Sequence, residues 1–235
     1  MNEFAWALAA FILIHVGVSA TGVRTAIVNR IGVNPYRGIF SIASLGLLVW
    51  MIHGYAKMRA DPFDPLNADM WSPPEWLHWP AIFLVFLGFM IAVTGLFTPG
   101  PTLAGFEGSL AKEEPARGVL RITRHPFLWG VAFWAAGHAL MNGERSAVML
   151  FGGLGLMVLF GARSIDRKGA ARDPEGWARF AAVTSNAPFV AILRGQNKLA
   201  LGEMGWRLLV ALIAFAAMIY LHPRLIGVPA ISTLS

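Results

Sequence analysis

Six long apolar stretches, at about 3–22, 37–57, 76–98, 126–142, 144–163 and 203–222, most constrain what this 235-residue chain can fold into. Each approaches the roughly 20 residues that a membrane-crossing helix needs. Only 14% of the residues are charged, against about 25% in soluble domains, so the stretches are not buried helices of a soluble core. The expected fold is all-α: a polytopic membrane helical bundle of about six transmembrane helices, one domain over 1–235. A short amphipathic or re-entrant segment is expected between the last two spans. There, residues 166–195 begin with a polar turn, hold a short helix near 174–183 and end apolar, as suits chain lying on or dipping into the inner leaflet. Pro126 fits a first helical turn, so the fourth helix starts there, with His125 just outside it and Asn142-Gly143 ending it.

Charge sets the expected orientation. Of the nineteen lysines and arginines, Lys57, Arg59, Arg145 and Arg224 fall on one side of the spans and the other fifteen on the opposite side. The positive-inside rule puts the fifteen in the cytoplasm. The chain is then a multi-pass protein of the inner (cytoplasmic) membrane with both termini periplasmic. Its first stretch carries Glu3 and lacks a positive n-region, so it reads as a retained span. The net charge of +6 is spread over loops between apolar segments. That favours membrane lipids with anionic heads as partners and argues against nucleic acid. With no cysteine in the chain, disulfides, cysteine-based zinc sites, iron–sulfur clusters and a thiolate haem ligand are excluded.

Ionisable residues inside a span are costly and point to function by default. Of the six histidines, His78 and His222 sit at span ends among Trp and Pro and read as interfacial. His15 shares a helical face with Phe4, Leu8, Phe11, Ser19 and Gly22; His138 shares one with Phe127, Val131, Trp134 and Asn142. Such faces suit a flat macrocycle whose iron takes an imidazole from each side. They suit ordinary helix–helix contacts equally well. Helical rise puts His15 about 14 Å and His138 about 21 Å from the inner edge. His53 lies nearer the depth of His138, so on depth alone His53 and His138 are the better-matched pair. His125 is about 140° around the helix from His138, and the two cannot share a metal. With Arg121 and Arg124 it forms a basic cluster at a helix N-terminus, suited to a propionate, a lipid phosphate or an anionic substrate, or to a plain interfacial anchor.

Several motifs together resemble the NnrU family: RITRHP at 121–126, Trp134 and His138 as W-x-x-x-H, Asp166-Arg167-Lys168, and TSNAPFVAI at 184–192. His15, Gly17 and Ala20, followed by Tyr36-Arg37 and Phe40, fit the same pattern. The resemblance covers about 10–222. That family includes bacterial NnrU proteins and the plant and algal 15-cis-ζ-carotene isomerase. It implies an integral membrane protein binding haem b, with the iron held by two histidines on different helices. Matched by motif, these metal ligands and catalytic residues are His15 and His138. Phe11 and Trp134 would then flank the ring, and Arg24, Arg121, Arg124 and His125 are the candidates for its propionates.

For the isomerase branch, the resemblance implies redox-dependent cis–trans isomerisation of a conjugated polyene, with an unnamed redox partner. That branch carries a cysteine three residues before the second histidine, where this chain has Ala135; a Cys-for-His ligand exchange cannot occur here. For the bacterial branch it implies a haem-bearing factor supporting nitric oxide or nitrite reductase expression or maturation in denitrification. A more distant resemblance, through Arg124-His125-Pro126, is to membrane S-adenosylmethionine-dependent methyltransferases. Leu128 replaces the tyrosine of their motif, and Ile165-Asp166-Arg167 replaces their acidic pair.

Overall fold

Asn2 opens the first helix. Its side-chain oxygen accepts the Phe4 N–H at 2.9 Å and caps α1 (Glu3–Leu13). Phe4, Ala7 and Leu8, at helical spacing, are its buried face. They pack on α3 (Val33–Ala60), where a Cβ at Gly54 would stand 2.9 Å from the Phe4 nitrogen. Only glycine permits that approach. The computed structural model describes residues 2–112 and 114–231. No strand occurs among them, only an isolated bridge between Asp69 and Glu144.

The first apolar stretch does not continue as one straight span. Past Leu13 the helix widens into a π-turn, Ile14–Val18, in which the Ser19 N–H reaches back five residues to the Ile14 carbonyl. Thr21 then caps a new helix, α2 (Gly22–Ile31), through its oxygen on the Val23 N–H. The two pieces meet at 76°. Gly32, at φ 85°, turns the chain into α3.

The later elements follow their punctuation. Pro80 lies in the first turn of α4 (His78–Leu96), and α5 (Pro126–Met141) begins and ends where Pro126 and Asn142-Gly143 predict. A one-turn α6 (Arg145–Ala147) and a second π-turn, Val148–Gly152, lead into α7 (Gly153–Arg172). The polar turn expected at Asp166-Arg167-Lys168 is instead helical. Nothing there breaks a helix, and α7 runs on until Asp173-Pro174 stops it. Asp173 caps α8 (Pro174–Ala182), which buries Trp177 and Phe180. Phe189, at φ 66°, precedes the single turn α9 (Val190–Leu193), and α10 (Trp206–Ile226) ends at Gly227 in the left-handed region.

Among the described residues, four helical segments are long and apolar enough to cross a bilayer: Val33–Ala60, Glu75–Leu96, Arg145–Arg172 and Trp206–Ile226; the bent pair Glu3–Val18 and Gly22–Ile31 adds a fifth if counted as one span. The expected sixth, α5, has 16 residues. At about 1.5 Å per residue it measures about 24 Å, short of the roughly 30 Å hydrocarbon core. The fold is therefore an all-helical membrane protein with four to five helices of crossing length.

The chain divides into two compact units, Met1–Ile82 with Ala135–Ile165, and Phe83–Trp134 with Asp166–Ser235. In the second unit, α4 and α5 meet through glycine. A Cβ at Gly130 would stand 2.4 Å from that of Ala92, and one at Gly88 would stand 2.7 Å from the Gly130 carbonyl oxygen. Small residues let the two backbones touch, the usual device where lipid removes the hydrophobic drive for helix association.

Candidate functional site

His15 lies in the first π-turn and is half-buried. Its Nδ1 is 2.8 Å from the Phe11 carbonyl oxygen one turn back. A carbonyl only accepts, so Nδ1 carries the proton and donates, and Nε2 presents a lone pair. The imidazole packs on the Phe11 ring at 4.3 Å and edge-on to Phe40 of α3 at 5.1 Å; Tyr36 stacks on Phe40 in turn. His138, on α5, is also half-buried, and its ring lies 4.9 Å from Phe151. Phe151 belongs to the second π-turn. Each histidine thus sits in or against a π-turn and is backed by an aromatic ring. π-turns are rare and concentrate at functional sites. Both histidines belong to the first unit. His53, the depth-matched rival, is exposed on α3.

The remaining predicted residues take separate places. Trp134 is half-buried on α5, one turn before His138. Ala135 is 2% exposed, and a Cβ at Gly155 of α7 would touch its methyl at 3.6 Å. Arg24 lies over the Tyr36 ring, 5.5 Å from its centroid.

Arg121, Arg124 and His125 belong to a polar cluster in the second unit, and carboxylates of the chain already engage all three. Asp166 accepts from Arg124 Nη2 at 2.9 Å, Arg124 Nε at 3.1 Å, His125 Nε2 at 2.6 Å and Asn186 Nδ2 at 3.3 Å. His125 is buried, and its Nδ1 has no hydrogen-bond partner among the described residues. Arg124 also donates to the Thr184 carbonyl and lies over the Trp177 ring. Backbone pairing completes the cluster: Arg124 N–H to the Ser185 carbonyl and Phe189 N–H to the Ile122 carbonyl. Trp129 Nε1 donates to Asn186 Oδ1, and Thr123 Oγ to the Asn186 carbonyl. The motifs at 121–126, 166–168 and 184–192, far apart in sequence, meet at this one place.

A second carboxylate, Glu203, takes Arg121. It accepts from Arg121 Nε at 2.9 Å, Arg121 Nη2 at 2.8 Å and the Gly118 N–H at 2.7 Å. The Arg121 guanidinium, then the Gly118 N–H, hold the Glu203 carboxyl below its ordinary value. Sequence reasoning missed Asp166 and Glu203 as hubs. It placed Asn186 and Phe40 in the family motifs without giving them a role, and it missed Phe151. Asp166 also stands out locally, as a lone acid in the basic run Arg163–Lys168.

The family model described as NnrU protein matches residues 3–230. The chain is 30% identical over 191 residues to the chloroplastic 15-cis-zeta-carotene isomerase of Zea mays, covering 80% of this chain and 50% of that protein. It is 39% identical over 82 residues to the protein of that name from Arabidopsis thaliana, covering 35% of this chain and 22% of that one. The chain therefore spans half or less of the curated relatives it matches. No solved structure matches it.

Proposed function

The chain belongs to the NnrU family, and from that premise we propose that it binds haem b in the membrane through His15 and His138 and catalyses cis–trans isomerisation of a conjugated polyene. The relatives' name supplies the reaction class. The observation that carries the cofactor reading is the hydrogen bond from His15 Nδ1 to the Phe11 carbonyl. It fixes the tautomer that leaves Nε2 available to a metal, the second-shell arrangement usual for metal-binding histidines. The donor set fits the group: two half-buried imidazoles in one unit, each with an aromatic ring behind it.

Haem held by His15 and His138 would supply redox-active iron chemistry. The chain's residues do the rest. Phe11 and Phe40 hold the His15 ring at a fixed angle, and Phe151 does the same for His138. Ala135 offers no thiol, so any ligand exchange must proceed without sulfur. We further read α5 as a sixth crossing, with both termini on the outer face.

Ala135 also favours one other reading, a haem-bearing factor supporting nitric oxide or nitrite reductase, which needs no ligand exchange and no polyene slot. Visible spectra of the detergent-purified chain, oxidised and reduced, test the cofactor first. A low-spin pattern is expected, lost or turned high-spin in His15→Ala and in His138→Ala and retained in His53→Ala. A colourless protein from haem-replete cells, or loss only in His53→Ala, overturns it. Conversion of a cis polyene by the reduced protein supports the isomerase. A loaded protein that leaves the polyene unchanged, and whose deletion impairs nitrogen-oxide reduction, supports the alternative.

A further inference from the structure

Between the first π-turn, α2 and the start of α3 lies an apolar cavity of about 210 Å³, open on one side. Ile14, Val18, Ile27, Ile31, Tyr36 and Ile39 line it, with Phe40 and Ala43 closing one wall. No described polar group faces into it, so it holds hydrocarbon in preference to water. A cation lies beside one of its lining residues. Arg24, Ile27 and Ile31 share one face of α2, and the Arg24 guanidinium rests on the ring of Tyr36, a lining residue. Stacking on a ring face leaves the in-plane N–H donors of a guanidinium open to an anion. Arg59, Arg121 and Arg124 each bond a carboxylate; Arg24 makes no such pair among the described residues. Between Glu3 and Asp61 the sequence has no acidic residue at all, yet it carries Arg24, Arg30 and Arg37 there.

An apolar slot with a cation against one of its lining rings suits an amphiphile. We propose that this groove binds one membrane phospholipid with an anionic head, its acyl chain in the cavity and its phosphate on Arg24. Basic pockets between helices bind such heads, and each arginine near them contributes about a fivefold preference. This goes beyond the haem reading and does not depend on it.

The test uses the full chain in phosphatidylcholine nanodiscs doped with a phosphatidylglycerol probe carrying a diazirine midway along one acyl chain. Phosphatidylcholine with the same diazirine chain is the control. After irradiation, the anionic probe is expected on Ile27, Ile31 and Ile39 at about five times the level of the neutral one. Arg24→Gln should abolish the preference and Arg24→Lys keep most of it. Ala43→Phe, which fills the cavity, should lower labelling by both probes. Equal labelling by the two probes, or a preference untouched by Arg24→Gln, overturns the proposal. Haem absorbance read in the same samples separates the two readings. Haem lost in Arg24→Gln with lipid preference unchanged means that Arg24 serves a propionate, and the lipid site falls. Lipid preference lost with absorbance unchanged supports it.

Discussion

Asp166 carries four donors on one half-buried carboxylate. Removing it strands a guanidinium and an imidazole in a poorly solvated place. Breaking a buried pair costs about 3–5 kcal/mol, and the 20% exposure of this side chain lowers that toward about 2–4 kcal/mol. Asp166→Ala should lower the unfolding temperature of the purified chain by that measure, and Asp166→Asn, which keeps the acceptor oxygen, by less. An unchanged melting curve for Asp166→Ala would count against the cluster as drawn. Glu203 gives a pH-dependent counterpart. Its carboxyl is held low in the folded state, so its ion pair stabilises fully above the ordinary carboxylate range. That contribution disappears as pH falls through the lowered folded value. Proteolysis around 196–203 should therefore rise on acidification, and Glu203→Gln should remove the acid-dependent part of that rise. His15 and His138 stand out in the sequence as imidazoles in apolar runs, but such runs suit helix contacts equally well, and it is the family motif that singles out this pair. The arginines' partners were not legible, because Arg124 and Asp166 are 42 residues apart and nothing local pairs them.

Element boundaries were legible at several prolines and at Asn142-Gly143, but not at the Thr21 cap or at Gly32, where α2 and α3 begin. Pro126, Asn142-Gly143 and Asp173-Pro174 all mark observed helix ends. The π-turns were not legible, since one extra residue in a turn leaves hydropathy unchanged while rotating all that follows. The error at 166–168 has the opposite origin. Charge was read as a turn, but charged residues extend a helix readily when no breaker intervenes. The α4–α5 contact supplies a test at this scale. Gly130 has no space for a side chain against Ala92 and Gly88. Gly130→Val should cost at least the 1–3 kcal/mol typical of overpacking, whereas Gly152→Ala, where a Cβ meets nothing within 4 Å, should be nearly neutral. Equal thermal shifts in the two variants would contradict the close approach. Phe151, placed against His138 by the second π-turn, predicts a further split. In the haem-loaded protein, Phe151→Leu should keep the pigment but shift its low-spin bands and reduction potential; an unshifted spectrum and potential would deny it a positioning role.

Across the whole molecule, the number of crossings turns on α5. By length alone it is too short, and hydropathy cannot decide for a helix whose neighbour is another helix's backbone. A local contact supports the crossing proposed for α5. The Met70 N–H bonds the Gly143 carbonyl, the Arg145 N–H bonds the Ala68 carbonyl, and Asp69 bridges Glu144. The turn after α5 is thereby tied to the loop that precedes α4. If α4 crosses the membrane, as its length and hydropathy allow, the chain can regain that loop only by crossing back, and α5 is the segment that does so. Its glycine seam with α4 and its half-buried residues spare it from matching the lipid thickness on its own. Because the chain has no cysteine, single exposed cysteines can report each loop without background. Ser72→Cys and Arg145→Cys should both react with an impermeant maleimide in intact cells, and Gly108→Cys only after permeabilisation, if the orientation expected from the positive-inside rule holds. Labelling of Arg145→Cys together with Gly108→Cys, and apart from Ser72→Cys, would remove α5 from the spans and put the two termini on opposite faces.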